Sequence, residues 1–227
     1  MPELESFLSA SFKQMDPIGR LFPNDSNVKG GVCFALSTLW MRRHKDYKSE
    51  GPQKRIDFLG DDDTIYHAAI LQRLYGAEYV DDAAGGHDRA QGVAMGYRGM
   101  SYNARKYEDF VRFSDEPSDT DVAEMLNGIN NTANRTHEYT MVSFSFKGGG
   151  GHATCCYKSG GKLLGIGSHL YAFDPNFGEY KVDGGQVKTF YRTLFSRYHN
   201  YRGKDGKLNR HTINQVTIRG VNVGNVV

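Results

Sequence analysis

The sequence predicts an α+β fold in which a helical first half packs on an antiparallel sheet built by the second half. Up to about residue 135 the apolar residues recur at helical spacing. From Tyr139 onward they alternate, and glycine-rich turns separate the alternating runs. At 227 residues the chain predicts one domain, 1–227, with a mainly helical part (1–135) and a sheet part (136–227).

Residues 3–15 set Leu4, Phe7, Leu8, Phe12 and Met15 on one stripe, which predicts an amphipathic helix packed beside the next one. In Gly-Gly-Val-Cys-Phe-Ala-Leu-Ser-Thr-Leu-Trp (30–40), two glycines lead into a helix that begins at Cys33, with Leu36, Trp40 and Tyr47 along one face. Lys-Ser-Glu-Gly-Pro (48–52) ends it. Asp61-Asp62-Asp63 caps a further helix that closes near Gly76. A calcium loop fits that triplet poorly, because the glycine and glutamate such a loop requires are missing. Residues 81–103 predict a loop with a short helix, followed by short helices at about 105–112 and 119–130. The second opens at Ser118 or Asp119 and closes at Gly128.

Residues 139–146 alternate as a half-buried strand does, and 152–158 and 169–173 predict two more strands. Asp-Pro-Asn-Phe-Gly-Glu-Tyr (174–180) follows. Residues 185–199 predict a helix with Val187, Phe190, Tyr191, Leu194, Phe195 and Tyr198 inward, and a last strand covers about 211–221.

No apolar run approaches the roughly 20 residues of a membrane span, and the N-terminal residues lack the basic and apolar regions of a secretory signal. Cys33 and the adjacent Cys155 and Cys156 suit neither a disulfide framework nor zinc spacing, so reduced thiols and no metal or cofactor are expected. Gly148 to Gly151 is followed by histidine rather than the Gly-Lys of a phosphate loop, and Gly165-Ile-Gly167 lacks the third glycine of a dinucleotide fingerprint. The formal charge of +2 is unevenly spread: residues 188–211 carry a net +6. With Tyr191, Tyr198 and Tyr201 this stretch has the composition of a nucleic-acid surface. A solvated helix face plus a basic loop explains it better, so no nucleic-acid partner is expected; docking of an acidic patch on a protein is the remaining use.

Three residues in separate elements make a chemical set. A cysteine at a helix start has its thiolate favoured by free N–H groups and the helix dipole, and the N–H of Cys33 can donate to an oxyanion. Asn27, in the turn-rich run Pro-Asn-Asp-Ser-Asn (23–27), can supply a second oxyanion donor. His152, between a glycine run and a strand, can act as the base, and Asp174 at the end of a neighbouring strand can orient it. The order Cys, His, Asp, nucleophile on a helix and partners on a later sheet, is the papain arrangement.

Gly-Val-Cys-Phe-Ala-Leu-Ser-Thr-Leu-Trp (31–40), Gly-Gly-His-Ala (150–153) and Asp-Pro-Asn-Phe-Gly-Glu (174–179) resemble the three catalytic blocks of the YopT and AvrPphB type cysteine proteases, bacterial effectors of peptidase family C58. The resemblance implies a papain-like cysteine protease fold, with Cys33 as nucleophile, His152 as base, Asp174 as orienting partner and Asn27 as the oxyanion side chain. The separation of His152 and Asp174 is longer than the family pattern, and Pro2 excludes N-myristoylation. The expectation is a thiol endopeptidase, made without a classical signal peptide and delivered by a specialised secretion system as an effector or toxin. It would cut a protein substrate in a host or rival bacterial cell; a bacterial target implies a cognate immunity or inhibitor protein. A glutamine deamidase or transglutaminase using the same triad, a cell-wall amidase, and an inert binding module on the same fold are the alternatives.

Overall fold

The computed structural model describes residues 3–79, 86–102, 108–112, 118–134, 139–160, 168–200 and 212–224. Among them a single antiparallel sheet forms the middle layer, with helices on both faces. In chain order the elements are β1 (Leu8–Ser11), α1 (Met15–Leu21), α2 (Ser26–Lys29), α3 (Cys33–Asp46), α4 (Pro52–Gly60), α5 (Asp62–Glu78), α6 (Gly86–Gly96), β2 (Met100–Tyr102), β3 (Glu108–Arg112) and α7 (Asp119–Asn134). Then come β4 (Tyr139–Phe146), β5 (Gly151–Lys158), β6 (His169–Asp174), β7 (Gly178–Asp183), α8 (Val187–His199) and β8 (Ile213–Val223). The strands lie in the order β1-β7-β6-β5-β4-β8-β2, with β3 also paired to β8.

Strand alternation sends side chains to two separate cores. Met141, Ala153, Cys155 and Phe173 join α1, α3, α4, α5 and α6 on one face. Val142, Phe144, Cys156, Leu170, Ala172 and Val182 join α7 and α8 on the other. The apolar stripe of α8 is the predicted one, with Val187, Phe190, Tyr191, Leu194, Phe195 and Tyr198 all buried.

Several elements differ from expectation. Residues 3–15 do not form one helix: a 3-10 turn (Leu4–Phe7) runs into β1, which pairs with β7 through Leu8↔Tyr180 and Ser11↔Gly178. Leu4 and Phe7 enter the α8 core, where Phe7 meets Phe190 edge-on, while Ala10 and Phe12 enter the other core. One helical stripe cannot serve two faces of a sheet. Gly178 makes the pairing possible: its φ is +133°, and a Cβ there would come within 2.1 Å of the Ala10 carbonyl oxygen. The helix expected at 105–112 is instead strand β3 over its described part, because Glu108–Arg112 pairs in register with Gln215–Arg219.

Pro52 opens helix α4 rather than only ending its predecessor, as a proline at the first helical position does. Asp61 caps α5 as expected, accepting from the Asp63 N–H at 3.2 Å. At α7, Ser118 and Asp121 bond reciprocally, with Asp121 N–H on the Ser118 hydroxyl at 3.2 Å and Ser118 N–H on Asp121 Oδ2 at 2.7 Å. That helix continues past Gly128 to Asn134, carrying the buried Ile129 inward. Strand β7, unpredicted, extends the sheet toward β1.

Candidate active site

Helix α3 lies along β5. The Ser37 hydroxyl donates to the Ala153 carbonyl at 3.1 Å, and the Cys155 thiol donates to the Ser37 carbonyl at 3.4 Å. The start of α3, one turn before Ser37, is thereby set beside the start of β5. Cys33 is the first residue of α3 and half-buried, and no acidic side chain stands in that first turn to oppose a thiolate. Gly31 takes φ +116° in the approach to it.

His152 and the Cys33 thiol act on one another, each favouring the other's charged form. His152 Nε2 lies 2.8 Å from Asp174 Oδ1, leaving Nδ1 for the sulfur. Asp174 is 1% exposed. Its Oδ1 also accepts the Asn176 N–H at 2.8 Å, and Oδ2 accepts the Tyr198 hydroxyl at 2.8 Å. The Asp-Pro-Asn turn thus holds the carboxylate with its own backbone, while α8 reaches across from the far core to fix the other oxygen. Burial alone drives the imidazole toward its neutral form. The Asp174 charge and hydrogen bond outweigh it, with a smaller contribution from Cys33, and raise His152 to about 10. Burial likewise pushes the Cys33 thiol up, but His152 and the N–H groups of Ala153 and Phe34 bring it below the ordinary thiol range. Both directions favour a thiolate–imidazolium pair.

The same physics holds the other two cysteines as thiols. Cys155 and Cys156 are buried on opposite faces of β5; burial pushes the first well up and the second to about 12. Iodoacetamide at neutral pH is therefore expected to add a single carbamidomethyl group to the folded protein, at Cys33. Peptide mapping checks this, and labelling of Cys155 or Cys156 at a similar rate would count against it.

Asn27 is exposed on α2, where its N–H donates to Asp25 Oδ1 at 2.9 Å; no described contact ties its carboxamide to Cys33. A different carboxamide lies against the approach to Cys33. Gln14, 3% exposed, accepts the Val32 N–H on Oε1 at 2.8 Å and donates through Nε2 to Asn176 Oδ1 at 2.7 Å. Asn176 Nδ2 in turn donates to the Tyr198 hydroxyl at 3.2 Å, so one network joins the residue before Cys33 to both sides of Asp174. A Cβ on Gly31 would meet the Gln14 carboxamide at 3.2 Å. Sequence reasoning missed Gln14, whose partners are 18 and 162 residues away.

The basic stretch is partly neutralised within the chain. Arg192 pairs with Asp119 at 2.9 Å, Lys188 lies 3.8 Å from the same carboxylate, and Arg197 is 3.4 Å from Glu5. Residues 201–211 lie outside the described residues. Among the described residues no cluster of metal-ligating side chains occurs, and no helix is long and apolar enough to cross a membrane.

The family model described as Yersinia/Haemophilus virulence surface antigen matches residues 10–215, a span that includes Cys33, His152 and Asp174. The chain belongs to peptidase family C58. The chain shares its fold with the crystal structure of the Pseudomonas avirulence protein AvrPphB, at a TM-score of 0.66 and 18% identity over 97% of this chain and 100% of that one. The fold is accordingly papain-like. The cysteine protease-like domain PatoxP of the Photorhabdus asymbiotica toxin PaTox aligns at a TM-score of 0.23 and 11% identity over 94% of this chain and 89% of that one. No curated protein sequence matches.

Proposed function

We propose that this C58 peptidase is an effector or toxin that cleaves a specific protein in a recipient cell, with Cys33 as nucleophile, His152 as acid and base, and Asp174 as the group that orients His152. The observation that carries this reading is the set Cys33, His152 and Asp174, in which His152 Nε2 lies 2.8 Å from Asp174 Oδ1, the thiol is shifted down and the imidazole up. The Cys33 thiolate attacks the scissile carbonyl carbon, and the carbonyl electron pair moves onto oxygen. The N–H of Cys33 at the helix start donates to that oxyanion. As the C–N bond breaks, imidazolium His152 gives its proton to the leaving amine, and the acyl group remains on sulfur. Neutral His152 then takes a proton from water, whose oxygen displaces the thiolate to release the acid.

A side-chain donor completes the oxyanion site in this scheme. Gln14 is the better placed of the two carboxamides, since it is buried and bonded to Val32 N–H, whereas Asn27 is exposed. Gln14→Ala is expected to lower kcat on a cleaved substrate by about 10²-fold, and Asn27→Ala to leave kcat near the wild-type value. The opposite ordering would return the role to Asn27.

Delivery into another cell is proposed from the family's virulence description, and an immunity protein is part of the proposal where the recipient is bacterial. The reading is tested by expressing wild type and Cys33→Ala in bacterial and in yeast cytosol and mapping new protein N-termini. New termini with the wild type alone support the protease and name its target. Toxicity that depends on Cys33 without new termini favours the deamidase or transglutaminase, since glutamine chemistry leaves the target backbone whole. Equal toxicity of both forms removes the triad from the account.

A further inference from the structure

The far end of α3 borders a second recess, unrelated to the thiol. His44 is eleven residues after Cys33, about 16 Å along the helix axis at 1.5 Å per residue. There a cavity of about 420 Å³ opens between the α3–α4 connection and the surface of strands β1, β7, β6 and β5. Ser9, Lys181, Tyr171 and Tyr157 line it from the sheet, and His44, Lys48, Glu50 and Arg55 from the helices. Its volume is within the range of small-molecule sites.

Two charged groups of the lining are neutralised within the chain, Glu50 by Arg43 at 2.6 and 2.9 Å and Arg55 by the buried Glu179, which leaves Lys48 and Lys181 as its cations. Arg55 gives the site a rigid wall. It is 3% exposed and clamped by Glu179 through Nη2–Oε1 at 2.6 Å and Nε–Oε2 at 3.0 Å, and a third N–H donates to the Glu50 carbonyl. A guanidinium has five N–H groups, so two remain beyond those bonds. The N-terminus of α4 adjoins through the lining residue Pro52; it has no side-chain cap and no acid in its first turn, an arrangement that favours a negative ligand. His44 is 5% exposed, with Nδ1 2.8 Å from the Tyr139 hydroxyl.

We propose that this cavity binds a small phosphate-bearing ligand, its oxyanion held by Arg55, Lys48 and Lys181. A preset guanidinium beside two ammonium groups, that of Lys48 lying 5.7 Å over the Tyr157 ring, suits a tetrahedral dianion. The Tyr157 and Tyr171 side chains bound the remaining volume, enough for the organic part of such a molecule. The positive field is already felt by His44: burial, then Arg55 and Lys48, lower it to about 3. Bound phosphate offsets that field, so the His44 ring reports occupancy.

The test titrates the full chain with inorganic pyrophosphate at constant ionic strength, by calorimetry and by the histidine ring NMR signals. Wild type is expected to bind saturably and to shift the His44 signal. Lys48→Ser with Lys181→Ser, both at exposed positions, is expected to bind at least about tenfold more weakly, on the scale of one lost charge-assisted hydrogen bond. Lys188→Ser, away from the cavity, is expected to bind as wild type does. Sedimentation with phosphatidylcholine vesicles containing a phosphoinositide separates the sources: lysine-dependent vesicle binding places the phosphate on a lipid headgroup, and lysine-dependent pyrophosphate binding alone places it on a soluble molecule. Absence of saturable binding to both probes, or equal binding by the double variant, would overturn the proposal.

Discussion

His152→Ala is expected to reduce kcat/KM by about 10⁴-fold, the upper end of what a positioned acid–base contributes. Two losses combine in that figure. The leaving amine no longer receives a proton, and Cys33 loses the partner that holds its thiol below the ordinary range, while the burial that raises it remains. Asp174 keeps the Asn176 N–H and the Tyr198 hydroxyl, so the site is not left with an unpaired buried carboxylate. The melting temperature, measured beside the rate, separates a chemical loss from a folding loss. Unchanged alkylation of Cys33 in the folded variant would show that His152 does not activate it.

Glu179→Ala is expected to be the most destabilising of single substitutions at the charged positions described, by about 3–5 kcal/mol. Glu179 and Arg55 are 0% and 3% exposed, and the carboxylate also accepts the Trp40 indole N–H at 2.8 Å. The pair ties α4 to β7 and, through Trp40, to α3. Removing the carboxylate strands a guanidinium and an indole N–H in the core. For a chain of this length the loss corresponds to a melting point lower by about 10 °C. Thermal and urea unfolding check it, and a loss under about 1 kcal/mol would contradict the buried-pair argument. Arg55→Met combined with Glu179→Leu is expected to recover much of the loss, because no charge is then left buried.

What the sequence made legible is local. Two glycines before Cys33 and apolar spacing after it announce the helix start; alternation announces β4, β5 and β6, and with them His152 and Asp174 at strand ends. What it concealed depends on distant partners. Residues 8–11 read as helix because Leu4, Phe7, Leu8 and Phe12 fit a 3.6-residue period, yet β7, some 170 residues later, recruits them into a strand. Glu108–Arg112 was drawn into the sheet by β8 in the same way. The sheet that the second half builds takes in β1, β2 and β3 from the mainly helical first half for that reason. Gln14 illustrates the limit at the site itself. A lone glutamine between a strand and a helix carries no motif, and its position becomes meaningful only when Val32 and Asn176 close around it. Pro52 and Gly178–Asp183 were readable by ordinary rules but were masked by their neighbours, a helix-ending run and a turn.

The rate of Cys33 alkylation by iodoacetamide as a function of pH tests the thiolate–imidazolium pair most directly. An ion pair is present above the depressed thiol pKa and below the raised imidazole pKa. Acid therefore removes reactivity by protonating the thiolate, and alkali removes the imidazolium only near pH 10. Alkylation is expected to rise with pH along an acid limb that lies below the about 8.5 of a free thiol. A single rise centred near or above that ordinary value, unchanged by His152→Ala, would contradict the pair.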